Sequence, residues 1–403
     1  MNMNEGLPKR VARAITSAFL SRRQKRQMRL TSADRSLEVN LVTSWDKQCG
    51  IATYSAYFAQ ELKKKCEVYV TALTNKNALS PYFGNLGYTV GRSYDLVHVQ
   101  FEYGIFPSLK IGKRTLTAFS ALLFYLGLAM GNRYVVTTLH EPRKTVTAGS
   151  KSGLLYSKQL DQLLFSVSDT IVVHTQESKR LLQTVYGLDP TKLTVIPHGS
   201  YEQPKFSDKE AAKAKLGLQG KIIVTILGFV TAKKGHDLVI PLLPKINDNV
   251  QLVIAGGPQN YQDEQYMANL KKLAEQYGVS DRVTLTGYLE DLSSILNASD
   301  VALLPYRYVT DSGVLHLLIA YRVPTLTSDL AAFREVYDEF GCLDLFRAGD
   351  SEDLYEKLRA LLADSQHRIT LKAKCADMWN ATKWSTIAQR HIELYRRILS
   401  KKS

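Results

Sequence analysis

Residues 95–101, DLVHVQF, and 170–175, TIVVHT, are apolar or β-branched through nearly consecutive positions. A strand with one wet face alternates apolar and polar side chains. An unbroken run reads instead as a strand covered on both faces, the habit of a parallel sheet between helix layers. Working outward, similar runs recur at 37–43, 66–73, 134–139 and 193–197, with helical stretches between them. A polar stretch follows, VIPHGSYEQPKFSDKE, which reads as a linker. The pattern then restarts at 221–228, 250–255, 282–286, 301–305, 323–327 and 342–346. Strands alternating with helices in two series predict two doubly wound α/β domains in tandem. The expected division is 1–35 as a basic N-terminal segment, 36–200 and 201–383 as the two domains, and 384–403 as a C-terminal helix packing back on the first. Open parallel sheets bind ligands beyond the carboxyl ends of their strands, so chemistry is expected in the strand-to-helix loops of two domains facing a cleft.

Composition narrows the classes. The chain has 403 residues, 45% hydrophobic and 22% charged, which excludes a mini-protein, a disordered chain and a coiled coil. Its formal net charge is +14, and residues 1–35 alone carry +7. Within that segment Leu7, Val11, Ala14, Ile15, Ala18 and Phe19 recur at helical spacing beside the arginines. The segment reads either as a solvated basic tail or as an amphipathic helix lying on an anionic membrane. No aromatic stacking pattern interleaves with it, so nucleic acid is not an expected partner. The N-terminal apolar stretch is interrupted by charge, unlike a secretory signal, and a cytoplasmic protein on the inner membrane face is expected. The four cysteines, Cys49, Cys66, Cys342 and Cys375, form no CxxC pair, so neither zinc site nor disulfide framework is indicated. The most apolar window, 116–131, is too short to span a bilayer and reads as a buried or membrane-facing helix.

Several loops carry candidate chemistry. Gly50, just before a helix expected near Ala52, is either a tight-turn glycine or a point where backbone amides approach an anion. In TILGFVTAKKGHDL, Gly228 ends a strand, Gly235 opens a helix, and Lys233 and Lys234 lie between. Two solvated lysines or a diphosphate contact would each fit. After strand 301–305, Asp311 or Ser312 is an N-cap candidate and Gly313 allows close approach, which suits ordinary capping or a second anion seat. His140 and His198 follow strands of the first series, either as satisfied structural residues or placed to hydrogen-bond a sugar or a reacting group. His98 sits inside its strand and reads as core. Glu102, Tyr103, Glu141 and His198 are further candidate site residues beyond the strands of the first series. No GxSxG, HExxH, Walker lysine or DxD pattern is present, so acyl transfer and metal-carboxylate chemistry find no support.

Taken in order, CGIATYS, HVQFEYGIF, TLHEP, VHTQESKRLL, VIPHG, GFVTAKKGHDL, VIAGGP, VTLTGYL, DVALLPY, TDSGVLHLLIAYRVPTLTSD and FREV resemble the retaining family-4 glycosyltransferases of the GT-B fold, over residues 37–340. The resemblance implies two Rossmann-like domains, an acceptor on the first and a UDP- or GDP-sugar donor on the second, with no cofactor and no metal. It implies that Gly50 contacts the donor diphosphate, Lys234 neutralises it, and the Ser312 and Gly313 amides cradle it. His140 would meet the donor sugar, and Glu335 would lie by the nucleotide ribose. Asp311 and Glu102 are the carboxylates available for a double displacement. The chain departs from the family in three places: Phe229 stands where an arginine is common, and Val309 and Leu317 where a glutamate pair is common. The TDSGV stretch resembles a QSGV branch with Asp311 for glutamine. The implied activity is sugar transfer to a lipid-linked or polysaccharide acceptor. A non-catalytic GT-B binder and a nucleotide-sugar epimerase or phosphorylase are the alternatives.

Overall fold

The computed structural model describes residues 36–45, 49–73, 87, 89, 92, 94–102, 105–106, 109–111, 114–131, 133–142, 158–204 and 206–400. Residues 1–35, and with them the basic segment, lie outside the described residues, as does Tyr103. The chain divides into two compact units, Met1–Pro197 with Ile387–Ser403, and His198–Thr386.

In the first unit, β1 (Glu38–Thr43), α1 (Gly50–Lys63), β2 (Glu67–Ala72) and β3 (Leu96–Phe101) are followed by a hairpin of β4 (Leu109–Ile111) and β5 (Arg114–Leu116). Next come α2 (Thr117–Met130), β6 (Tyr134–Leu139), α3 (Lys158–Val167), β7 (Thr170–Val173), α4 (Gln176–Tyr186) and β8 (Leu193–Val195). The six-stranded sheet is parallel, in the order β2-β1-β3-β6-β7-β8. Every residue of β3, β6 and β7 is buried, as unbroken apolar runs require. Among the described strands of this unit, the antiparallel β4–β5 pair alone was not legible in the sequence. The apolar window at 116–131 becomes α2, whose Phe124, Tyr125 and Leu128, at no more than 1% exposure, lie in this unit's core. Among the described residues, no helix is long and apolar enough to cross a membrane.

The second unit opens with α5 (Lys209–Lys215) and β9 (Ile222–Leu227), then β10 (Val250–Ala255), α6 (Tyr261–Gln276), β11 (Val283–Gly287), α7 (Ser293–Ala298) and β12 (Val301–Leu304). It continues with α8 (Gly313–Ala320), β13 (Thr325–Ser328), α9 (Ala331–Phe340), β14 (Asp344–Phe346), α10 (Ser351–Ala363) and α11 (Ser365–Thr382). The sheet order is β11-β10-β9-β12-β13-β14, all parallel. Successive side chains point to opposite faces, so Val224 and Ile226 join one core while Ile223 and Leu227 join the other. The helix expected to open at Gly235 is instead a run of 3-10 turns, Ala232–Lys234, His236–Leu238 and Ile240–Lys245. Pro241 and Pro244 remove the amide donors an α-helix would need there.

The last helix, α12 (Trp384–Ser400), belongs from Ile387 onward to the first unit. Its stripe Ile387, His391, Tyr395 is fully buried at four-residue spacing. The His391 ring lies 4.5 Å from that of Phe58, and the Tyr395 hydroxyl is 2.5 Å from His98 Nδ1. His98 is core, as its position inside the strand suggested.

Candidate functional site

In the second sheet the strand order reverses between β9 and β12. At such a point helices leave in opposite directions and a crevice opens beyond the strand ends. Both loops singled out in this half of the sequence start there. Gly228 takes φ +94, a backbone conformation that favours glycine. A Cβ at this position would collide with Lys234 Nζ and stand 3.1 Å from Val314 Cγ2. The missing side chain therefore leaves the space in which the lysine tip and the first turn of α8 come together. Lys234 Nζ donates to the Leu227 carbonyl at 3.2 Å and lies 5.1 Å over the Tyr306 ring. Lys233, by contrast, is exposed, and its carbonyl accepts from the Arg307 amide at 2.7 Å. The loop is pinned beyond Lys234. Asp237 accepts from Arg307 Nη2 at 2.6 Å and from the Tyr266 hydroxyl at 2.5 Å. Burial would raise the Asp237 carboxyl, but these donors outweigh it and hold it below the usual range. Burial, reinforced by the Lys234 charge, pushes His236 down to about 3, so this neighbour adds no positive charge of its own.

Across the switch point, Ser312 is the N-cap of α8: its Oγ accepts from the Leu315 amide at 3.2 Å. The Ser312 amide donates to Asp311 Oδ1 at 2.8 Å. The Ser312 amide is thereby engaged by the adjacent carboxylate. The helix-mouth amides are those of Gly313 and Val314, which have no partner within the helix by α-helical geometry. Glu335 lies half-buried in α9, the helix that follows neighbouring β13.

His198 was expected on the acceptor side, but it belongs to the second unit. Its ring stacks on His316 with centroids 4.9 Å apart, and a Cβ on Gly313 would stand 3.7 Å from its Nε2. His316, which no sequence signal marked, lies with its Nε2 3.7 Å from Asp311 Oδ1.

In the first unit, β1 and β3 flank the corresponding reversal. Gly50 is the first residue of α1, capped by Cys49 Sγ accepting from the Ala52 amide at 3.4 Å. Gly50 is exposed, and among the described residues nothing stands within 4 Å of a Cβ built on it. Phe101 pairs with Leu139, so Glu102 and His140 are the next residues at neighbouring strand ends. Both are half-buried, as is Glu141. His140 Nε2 is 2.8 Å from Gln100 Oε1 and its Nδ1 is 3.2 Å from His174 Nε2. His174 Nδ1 in turn donates to the Ile196 carbonyl at 2.9 Å. Tyr54 meets the His140 ring edge-on at 4.8 Å. A separate cavity of about 590 Å³ is lined by Tyr134, Thr170 and Leu193, the opening residues of β6, β7 and β8. It runs along the edge strand β8 and takes in Gln176, Val195 and Arg397 as well.

Two parallel-sheet units, one bringing a lysine and a helix mouth to its switch point and the other a histidine set to its strand ends, have the architecture of GT-B glycosyltransferases. The family described as "Glycosyltransferase Family 4" matches residues 49–200, and that described as "Glycosyl transferases group 1" matches residues 208–377. The chain belongs to this group 1/family 4 glycosyltransferase family. The chain is 25% identical over 245 residues to the D-inositol 3-phosphate glycosyltransferase of Nocardia farcinica, a match taking in 58% of this chain and 54% of that one. It therefore spans about half the length of that curated relative. Among solved structures, Anabaena HepE in complex with UDP superposes with TM-score 0.70 at 14% identity, covering 90% of this chain and 100% of that one. Sucrose-phosphate synthase from Thermosynechococcus elongatus gives TM-score 0.70 at 17% identity, over 90% and 99%. At those identities the likeness shows the GT-B fold alone.

Proposed function

We propose that the protein is a retaining glycosyltransferase that takes a sugar from a UDP- or GDP-linked donor and passes it to a glycan or lipid-linked acceptor on the inner face of a membrane. The observation that carries this reading is the meeting of Lys234 Nζ with Gly228 and Val314 at the β9–β12 switch point. Breaking a glycosyl phosphate puts negative charge on the departing diphosphate. A lysine tip and preorganised helix-mouth amides oppose that charge without reorganising. The UDP bound by Anabaena HepE supports a nucleotide-sugar donor of this kind.

In this reading Gly50 and the Gly313 and Val314 amides meet diphosphate oxygens, Lys234 neutralises the leaving group, and Glu335 lies toward the nucleotide ribose. His140, oriented by His174 and Gln100, hydrogen-bonds the transferred sugar. Glu102, Tyr103 and Glu141 serve the acceptor. Retention follows from front-face attack assisted by the leaving phosphate. Asp311 supports that choice over a double displacement, since its carboxylate is held by the Ser312 amide. The net +7 of residues 1–35 supports attraction to anionic lipid. The experiment is donor turnover: the full chain is incubated with UDP- and GDP-sugars and a lipid-linked glycan, and nucleotide release is followed together with the anomeric configuration of the product by NMR. Tight donor binding without nucleotide release would favour a non-catalytic binder, and an inverted product would remove the retaining mechanism.

A further inference from the structure

Arg307, directly after the Pro305–Tyr306 pair that follows β12, holds the lysine loop at three points. Its amide donates to the Lys233 carbonyl at 2.7 Å, and its Nη1 donates to the Ala232 carbonyl at 2.7 Å. Its guanidinium also grips both oxygens of Asp237, Nη1 to Oδ1 at 2.9 Å and Nη2 to Oδ2 at 2.6 Å. These bonds fall on both sides of Lys234 in the chain. Between them Gly235, at φ +66, lies flush against the same segment: a Cβ there would collide with the Pro305 carbonyl oxygen. Lys234 keeps different company. Its Nζ meets the Leu227 carbonyl and the Tyr306 ring, and among the described residues no carboxylate forms an ion pair with it. The acidic residue nearest to it in the chain is Asp237, whose carboxylate is taken up by Arg307 and by the Tyr266 hydroxyl at 2.5 Å.

We propose that Arg307 is a positioning residue of the donor seat: by engaging the Asp237 carboxylate it keeps Lys234 without an internal counter-ion, so that the ammonium is left for the donor diphosphate. The inference rests on the donor reading above and adds to it the group that keeps the lysine available. A bidentate arginine–carboxylate pair fixes both partners in one plane, which a lysine in the same place would not do. Removing the guanidinium leaves Asp237 with Tyr266 alone among side chains. The carboxylate then attracts the nearby ammonium, the more strongly where water is partly excluded, and that internal pair competes with the ligand. Because the same arginine also ties the loop at Ala232 and Lys233, charge and geometry have to be separated by the choice of substitutions.

The test is equilibrium binding of UDP and of GDP to the full chain by isothermal titration calorimetry. Arg307→Gln removes the charge and should weaken binding of the nucleotide that the parent chain takes by about tenfold or more, the scale of one hydrogen bond to a charged group. Adding Asp237→Asn should return affinity to within about threefold of the parent, because no carboxylate remains to draw the lysine. A role confined to holding the loop predicts no such recovery. Arg307→Lys, which keeps a cation beside Asp237, should lose less than Arg307→Gln. In a Lys234→Ala background, Arg307→Gln should have no further effect, since its target is gone. The pair is 41% exposed at Arg307 and 35% at Asp237, so its removal should cost the fold little, and circular dichroism checks that each variant is folded. Affinity unaltered in Arg307→Gln overturns the inference, as does a double variant no better than the single one, an equal loss in Arg307→Lys, or an additional loss on top of Lys234→Ala. A parent chain that binds neither nucleotide removes the donor reading itself, and this inference with it.

Discussion

His140 and His174 face one another ring nitrogen to ring nitrogen, Nδ1 to Nε2 at 3.2 Å, although 34 residues separate them in sequence. The Ile196 carbonyl takes the Nδ1 proton of His174, so neutral His174 accepts from His140. Neutral His140 then offers an Nε2 lone pair to the Gln100 amide group, whereas protonated His140 offers it an N–H. A half-turn of that amide serves either state. Beyond it, Gln100 Nε2 lies 3.3 Å from His98 Nε2, whose Nδ1 meets Tyr395 of the last helix. The candidate sugar-binding histidine is thus oriented by a buried polar chain rooted in α12. His174→Phe keeps a ring but removes the acceptor. It should lower kcat about tenfold, the scale of one well-placed hydrogen bond, and change the ¹⁵N tautomer signature of His140. An unaltered tautomer together with unaltered kcat would dismiss the orienting role.

Lys234→Ala should reduce donor turnover by about 10²-fold or more, with most of the loss in kcat. Gly228→Ala attacks the same seat from the other side, since its Cβ both strains φ +94 and displaces the Lys234 tip. It should cost about 1–3 kcal/mol of stability in chemical denaturation and lower turnover as well. Full turnover in Lys234→Ala would show that the diphosphate is neutralised elsewhere.

Stability should fall on acidification because of the buried histidines of the first unit. Burial pushes His391 down to about 3 and His98 well below its ordinary 6.5, with neighbouring histidines adding to the effect at His98. The unfolded chain takes up these protons near pH 6.5 and the folded chain does not. The stabilisation is therefore complete above about pH 6.5 and is lost as pH drops from there toward 3, by up to ~1.4 kcal/mol per pH unit for each histidine. Urea unfolding across that window should show the slope, and His391→Leu should make it shallower. A slope equal to that of the parent chain would contradict the assignment.

Deleting residues 1–35 should release the protein from anionic vesicles while leaving donor hydrolysis in place. Cosedimentation of the two forms with phosphatidylserine-containing and with neutral vesicles, at low and at physiological salt, measures this. Equal pelleting of both forms would retire the membrane role of the segment.

The twelve strands of the two sheets were legible because a strand buried on both faces must be apolar along its length, and that signal is local. The partnership of Lys234 with the first turn of α8 was legible in part: both loops follow β strands, and the switch-point rule places such loops together. The helix expected at Gly235 was not there, since Pro241 and Pro244 outweighed the apolar spacing of the segment. His174 carried a usable signal, being a histidine at a strand end like His140. His316 carried none, because a histidine on an apolar helix face gives no sign of what it will stack against.

The sequence by itself determined the two parallel sheets, the strand-end positions of Gly228, Glu102 and His140 and the concentration of charge in its first 35 residues, since each follows from interactions between residues near in the chain or from composition alone. Only the tertiary structure decided that Tyr395 would reach His98 across 297 positions, that Ser200 would meet His316 across 116, and that His198 would lie with the second unit. Those contacts depend on how packed layers bring distant segments into register. A hydrogen bond needs its partners placed to within a few tenths of an ångström, and hydrophobic periodicity along a chain does not encode that placement.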